Sequence, residues 1–228
     1  MNDNKVIPVF YACDDNFVKY TVVSLQSMKE HASRDQKYCI HVLHTNISKE
    51  MQDVMHAMQD EQFQIRFDDV TDYLKSISDK LPLRDYYSKT TYFRLFIAEM
   101  FPEYEKAIYI DSDTVVLGDI ADLYAYDLGD NYVGAARDPD VYGTYVEKVL
   151  GIDRNAYFNA GLLVINCEQF RKQRVLDQFI ELLHVYNFVV TQDEDYLNLI
   201  CKGQVFWLPQ QWNTEVFGNI DYPEESIC

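Results

Sequence analysis

Ala107-Ile-Tyr-Ile-Asp-Ser-Asp-Thr-Val-Val-Leu117 joins a short apolar run to two carboxylates. Ala107 to Ile110 is rich in β-formers and has no polar face, the pattern of a strand buried on both sides of a parallel sheet. If the backbone stays extended through Ser112, Asp111 and Asp113 project together from the strand's C-terminal end. Open α/β sheets bind their ligands at that end. Two carboxylates about 5 Å apart repel by ~3 kcal/mol at an effective dielectric of about 20, and a divalent cation would cancel this. Oxygen ligands suit hard Mg²⁺ or Mn²⁺. The same spacing recurs at Asp138/Asp140 and Asp193/Asp195, so in this chain Asp-x-Asp alone says little. The strand that Asp111 and Asp113 abut sets them apart, whereas Asp138-Pro-Asp140 reads as a turn.

Working outward, strands and helices alternate. Val6 to Ala12 reads as a first strand, after which Asn16 can cap a helix over Phe17 to Glu30. Tyr38 to Leu43 reads as a second strand, and Ser48 as the cap of a helix whose Met51, Val54, Met55 and Met58 face the core. Phe63, Ile65 and Phe67 alternate with polar residues as in a half-exposed strand. Ser88 to Met100 reads as a buried helix with Arg94 in its middle, and a buried guanidinium needs a carboxylate or a phosphate beside it. Beyond the central strand come a strand at Tyr132 to Ala136, a short helix from Tyr142 to Leu150 closed by Gly151, and an apolar run from Tyr157 to Asn166. Asn159 is a lone amide in that last stretch and must find partners. Asn166 with Gln169 resembles a capping box opening a long helix to Tyr186. Asp193 to Lys202 and Val205 to Leu208 complete the order as helix and strand. The alternation predicts one domain with a three-layer α/β/α fold and a mostly parallel sheet.

The chain has 228 residues and a formal net charge of −17. That charge argues against nucleic acid or an anionic membrane surface as a partner, and an anionic ligand would need a local cation. Five widely spaced cysteines, with no Cys-x-x-Cys pair, argue against zinc and a disulfide framework. No run reads as a signal peptide or a bilayer span, so a cytoplasmic location is expected, with any peripheral membrane attachment left to sequence outside this chain.

Ala12-Cys-Asp-Asp-Asn16, Ser88-Lys-Thr-Thr-Tyr-Phe-Arg94, Tyr109-Ile-Asp-Ser-Asp113, Tyr157-Phe-Asn-Ala-Gly161 and Gln192-Asp-Glu-Asp195 together resemble glycosyltransferase family 8 in order and spacing across nearly the whole chain. The family contains bacterial lipopolysaccharide galactosyl- and glucosyltransferases and glycogenin. The resemblance implies a GT-A fold with a Rossmann-like nucleotide-binding half. It also implies Mn²⁺-assisted transfer of a hexose from UDP-glucose or UDP-galactose to a glycan or other hydroxyl acceptor, with retention at the anomeric carbon. Ala12, Asp14 and Asn16 would then hold the uridine, Arg94 would reach the sugar and diphosphate, and Asp111 and Asp113 would ligate the metal, with Ser112 between them in the donor site. Asn159, Ala160 and Asp193 would contact the transferred sugar. Glu194 stands where related galactosyltransferases have a Gln beneath the anomeric carbon, as nucleophile or as electrostatic stabiliser.

One family feature is missing. A His-x-x-Gly-x-x-Lys-Pro-Trp stretch, whose His is the third metal ligand, does not occur before Cys228, which points to a shortened form of a longer protein. Two rivals remain at this level. Ile108 to Val115 also fits the opening motif of haloacid dehalogenase phosphatases, with Asp111 as nucleophile, although several βα units precede it here. The other is a catalytically silent nucleotide-sugar binder. Trp212 beside Asn213 is the acceptor-side candidate.

Overall fold

The computed structural model describes residues 6–77, 90–138, 145–186 and 193–214. Seven strands form one sheet in the order β3-β2-β1-β4-β6-β5-β7. Four of them, β1 (Ile7–Ala12), β2 (Tyr38–His44), β3 (Phe63–Asp69) and β4 (Lys106–Ile110), run parallel. β6 (Leu162–Asn166) runs antiparallel both to β4 and to β5 (Val133–Ala135), and β7 (Val205–Trp207) lies parallel to β5. The expected mostly parallel α/β sheet is therefore present. Because β6 alone is reversed, the C-terminal ends of the other six strands share one edge, and the chain entering β6 arrives at that edge.

The sheet is buried on both faces where its strands are continuously apolar, since every residue of β1 and β2 is buried. Alternation divides the core. Phe10, Leu43, Ala107 and Tyr109 pack into one layer, and Val9, Tyr11, Ile40, Ile108 and Ile110 into the other. β3 is an edge strand with exposed Gln64 and Arg66, as its alternating sequence predicts. Helix α1 (Val18–His31) follows β1, and α2 (Lys49–His56) follows β2 with Ser48 accepting from the Met51 amide at 3.4 Å. Short helices α3 (Thr71–Ile77), α4 (Ile97–Met100) and α5 (Ile120–Tyr124) follow, then α6 (Cys167–Lys172), α7 (Val175–Val185) and α8 (Asp193–Ile200).

Several local expectations change. Asn16 does not cap α1. Asp14 Oδ1 accepts from the amides of Asn16 (2.9 Å) and Phe17 (3.2 Å), so the acid forms the turn and Phe17 occupies the cap position without a side-chain bond. Val54 stays exposed while Met55 is buried. The helix expected over Ser88 to Met100 is a 3₁₀ segment, Thr90–Leu95, followed by α4, with Ser88 and Lys89 outside the described residues. Tyr142 also lies outside them, and the helix ending at Gly151 is a π turn over Val146–Leu150. Asn166 caps α6 by accepting from the Gln169 amide, but the Gln169 side chain reaches Asp130 rather than closing a capping box. The long helix to Tyr186 breaks at Arg174, whose φ of 55° is left-handed.

Among the described residues no helix is long and apolar enough to cross a membrane. Cys13, Cys39, Cys167 and Cys201 are free thiols in the interior.

Candidate active site

The apolar strand β4 delivers Asp111 to the shared edge, where its amide donates to the Gly161 carbonyl at 2.7 Å. The backbone then turns instead of staying extended, since the Thr114 amide bonds back to the Asp111 carbonyl at 3.3 Å. The two carboxylates still line one cleft of about 160 Å³, together with Ala12, Phe17, Thr90, Thr91, Tyr109 and Ser112. The turn corrects the extended geometry but keeps both acids at the same opening. Ser112 is buried and donates to the Ala12 carbonyl at 3.3 Å, tying the ends of β1 and β4 together. Asp14 and Asn16 sit just beyond, on the turn into α1.

Arg94 organises the floor. It is 3% exposed and lies with its guanidinium carbon 4.3 Å from the centre of the Tyr109 ring. Nη2 donates to Asp111 Oδ1 at 2.8 Å, Nη1 donates to the Ala160 carbonyl, and Nε donates to the Thr91 carbonyl at 2.9 Å. Asp193 Oδ2 is 3.0 Å from Nε, an ion pair in which the N–H points at Thr91. That oxygen takes no hydrogen bond among the described residues. The partners of the buried cation are thus carboxylates and backbone. The Tyr109 hydroxyl also donates to Asp111 Oδ1 at 2.8 Å.

Burial and charge pull against each other here. Burial alone would lower the Arg94 pKa, but Asp111 and Asp193 hold it above its ordinary value and the cation is permanent. Burial raises Asp111 and pushes Asp193 up to about 6, in both cases against the attraction of Arg94. Glu194 is raised well above the usual carboxylate range by burial, although the Ala160 amide donates to its Oε2 at 2.7 Å.

Arg94 joins the cleft to a second group of residues. Asn159 is half-buried, and its Oδ1 accepts from the Gly161 amide and from Asn213 Nδ2, both at 2.8 Å, which supplies the partners its apolar surroundings demanded. Ala160 bonds Glu194 through its N–H and Arg94 through its C=O. Arg94, Asp111, Asp193, Glu194, Asn159 and Ala160 thereby form one connected network. Trp212 does not belong to it. At 3% exposure it is core and offers no face to an acceptor sugar.

Sequence reasoning gave no role to Phe17, Asn198 or Asp195. Phe17 is 45% exposed on the cleft wall, and its only signal was an aromatic directly after Asp-Asp-Asn. Asp195, fully buried, accepts from the hydroxyls of Tyr145 (2.8 Å) and Tyr157 (2.9 Å). Asn198 interrupts an apolar stretch as Asn159 does, and that was a readable sign.

Gly161 marks how tightly the network is drawn. A Cβ there would lie 2.9 Å from Asn159 Oδ1 and 3.0 Å from Asp111 Oδ2. Gly161→Ala should therefore displace one of these side chains, at a cost of about 1–3 kcal/mol. The expected result in thermal melting is a transition lowered by a few degrees.

For a divalent cation, Asp111 and Asp113 supply a hard oxygen donor set. Oδ1 of Asp111 is already taken twice, leaving Oδ2 facing Gly161. Among the described residues no group of three or more His, Cys, Asp or Glu side chains is placed to hold a metal, and the two carboxylates are the donor set this cleft offers.

The mostly parallel seven-stranded sheet, with an acidic pair at the end of β4, has the GT-A type fold of solved glycosyltransferases. Comparison with known proteins fixes the family, because the model of glycosyl transferase family 8 matches residues 8–226 and the chain belongs to that family. A relative from Haemophilus influenzae is 28% identical over 219 residues, covering 92% of this chain and 64% of its own. The chain thus spans a little under two thirds of that relative. Lipopolysaccharide 1,2-glucosyltransferase of Escherichia coli is 24% identical, with coverage of 93% and 64%. The crystal structure of the galactosyltransferase LgtC in complex with donor and acceptor sugar analogues superposes with a TM-score of 0.75 at 28% identity, covering 90% of this chain and 74% of that one. The phosphatase alternative falls with this assignment, and β4 is not the first strand of its sheet, as that motif would require.

Proposed function

We propose that this chain forms the catalytic unit of a retaining hexosyltransferase that moves glucose or galactose from a UDP-sugar to a hydroxyl of a glycan acceptor. The supporting observation is the network just described, in which Arg94 joins the acidic cleft at Asp111 to buried Asp193 and, through Ala160, to half-buried Glu194. Ala12, Asp14 and Asn16 receive the uridine at the end of β1, with the Phe17 ring as a wall. Asp111 and Asp113 are the residues that would hold Mn²⁺ or Mg²⁺. Such a cation supplies positive charge against the diphosphate leaving group as the glycosidic bond breaks. Arg94 keeps Asp111 oriented and ionised. Asn159, Ala160 and Asp193 position the hexose, and the Glu194 carboxylate balances positive charge developing at the anomeric carbon.

Similarity to proteins whose names give lipopolysaccharide glucosyl transfer and galactosyl transfer supports the hexose and the glycan acceptor. The free, buried cysteines fit a reducing cytoplasmic location.

The test is calorimetric titration of UDP with and without Mn²⁺, beside Asp113→Ala. Asp113 is exposed and Asp111 carries the structural bonds, so this variant should fold normally. The expected result is binding that requires Mn²⁺ and falls at least tenfold in the variant. Metal-independent binding, or none, would sink the proposal.

A further inference from the structure

Asn198 lies on α8, one turn after Glu194, and is 2% exposed. Its amide is fully used. Oδ1 accepts from the Phe158 N–H at 2.9 Å, and Nδ2 donates to the Phe158 C=O at 2.8 Å and to the Glu194 C=O at 3.0 Å. The side chain pairs with Phe158 as a neighbouring strand would, taking both of its main-chain groups at once. On its other side Phe158 lies opposite Arg137 in an isolated antiparallel bridge, whose hydrogen bonds are made by the flanking Tyr157 carbonyl and Asn159 amide. The next two residues are Asn159 and Ala160, and the Ala160 N–H is the group that bonds Glu194 Oε2.

We infer that Asn198 is a positioning residue that fixes Glu194 against the Phe158–Ala160 backbone, and so sets where the transferred hexose sits relative to that carboxylate. The inference rests on the hexosyltransferase reading. Its physical basis is that one planar group with an acceptor and two donors spans the helix and the loop. No shorter or singly functional side chain can make all three bonds. Asp at this position would keep one bond and set its second oxygen against the carbonyls of Phe158 and Glu194. Leu would make none.

Helix α8 has a separate anchor, because Asp195 accepts from Tyr145 and Tyr157. Losing the Asn198 clip therefore loosens the Phe158 peptide without releasing the helix. The uridine and diphosphate positions at the ends of β1 and β4 are untouched by Asn198, so donor chemistry and UDP binding should separate.

The experiment compares the wild-type protein with Asn198→Asp and Asn198→Leu, and with Asn198→Ser in case the larger side chains do not fold. Each is assayed for UDP affinity with Mn²⁺, for hydrolysis of UDP-glucose and UDP-galactose, and for amide exchange. The expected result is UDP affinity within threefold of wild type, kcat for donor hydrolysis reduced thirtyfold or more, and faster exchange at Ala160, joined by Phe158 in the Leu and Ser variants, while α8 stays protected. A kcat within threefold of wild type would overturn the inference. So would a fall in kcat matched by an equal fall in UDP affinity or folded fraction, since that is what a merely structural residue gives. Wild-type protein that neither binds UDP nor hydrolyses either donor would overturn the hexosyltransferase reading itself, and the inference with it.

Discussion

Replacing Arg94 by Met should lower the melting temperature by about 10 °C, the largest stability loss expected from any single substitution in the site. Removing one partner of a buried ion pair costs about 3–5 kcal/mol, because the remaining charge stays desolvated. In a chain of this size each kcal/mol corresponds to roughly 2–4 °C. Here one cation serves two carboxylates, Asp111 at 2.8 Å and Asp193 at 3.0 Å, and also satisfies the carbonyls of Ala160 and Thr91. Met fills the aliphatic space and supplies none of this. Arg94→Lys should recover little, since a single ammonium cannot reach Asp111, Ala160 and Thr91 together.

The pH dependence gives the sign. Asp193 binds its proton more tightly in the folded chain, at about 6, than at its ordinary value of 3.8. A group of this kind favours the folded state at low pH, and its contribution falls as pH rises from about 4 to about 6. Without Arg94 the attraction that restrains this upward shift is gone, so the window must extend higher. The Arg94→Met deficit, measured by thermal melting across pH 5 to 8, should be smallest at pH 5 and grow with pH. A deficit that is flat or largest at pH 5 would show that the two acids do not depend on Arg94.

What the sequence made legible follows from how local each signal was. The strand Ala107 to Ile110, the alternation in Phe63 to Phe67 and the Ser48 cap each depend on neighbours within a few residues, and all are present. The helix expected over Ser88 to Met100 is instead a 3₁₀ turn at Arg94, where a tertiary demand outweighs propensity. The guanidinium must meet Asp111, Ala160 and Asp193, from three separate parts of the chain. No local pattern encodes that. The reversed direction of β6 was equally hidden, since an apolar strand reads the same whichever way its neighbours run. Yet that reversal brings Asn159 and Ala160 to the edge where β4 ends. Trp212 failed for the opposite reason, because an aromatic suited to stacking on sugar is just as well suited to a core.

Glu194→Gln should reduce kcat for donor hydrolysis by about a hundredfold, the usual scale for losing one electrostatic group at a reacting centre, while leaving the fold and UDP affinity intact. The amide oxygen of Gln can still accept from the Ala160 N–H, now at 2.7 Å from Oε2, so the substitution removes charge and keeps geometry. Glu194→Ala is the harsher comparison, because it also strands that buried N–H at about 1–3 kcal/mol. The carboxyl is pushed well above 4.5 by burial, with Asp138 and Asp193 adding to the shift against the Ala160 bond. If the ionised form opposes the positive charge at the anomeric carbon, kcat must rise with pH as Glu194 loses its proton. That limb should lie above the ordinary carboxylate range. The same limb should vanish in Glu194→Gln, whose slower rate stays flat over that interval. A Gln variant that keeps both the wild-type rate and the limb would mean that the neutral group suffices and that the titrating residue lies elsewhere in the network.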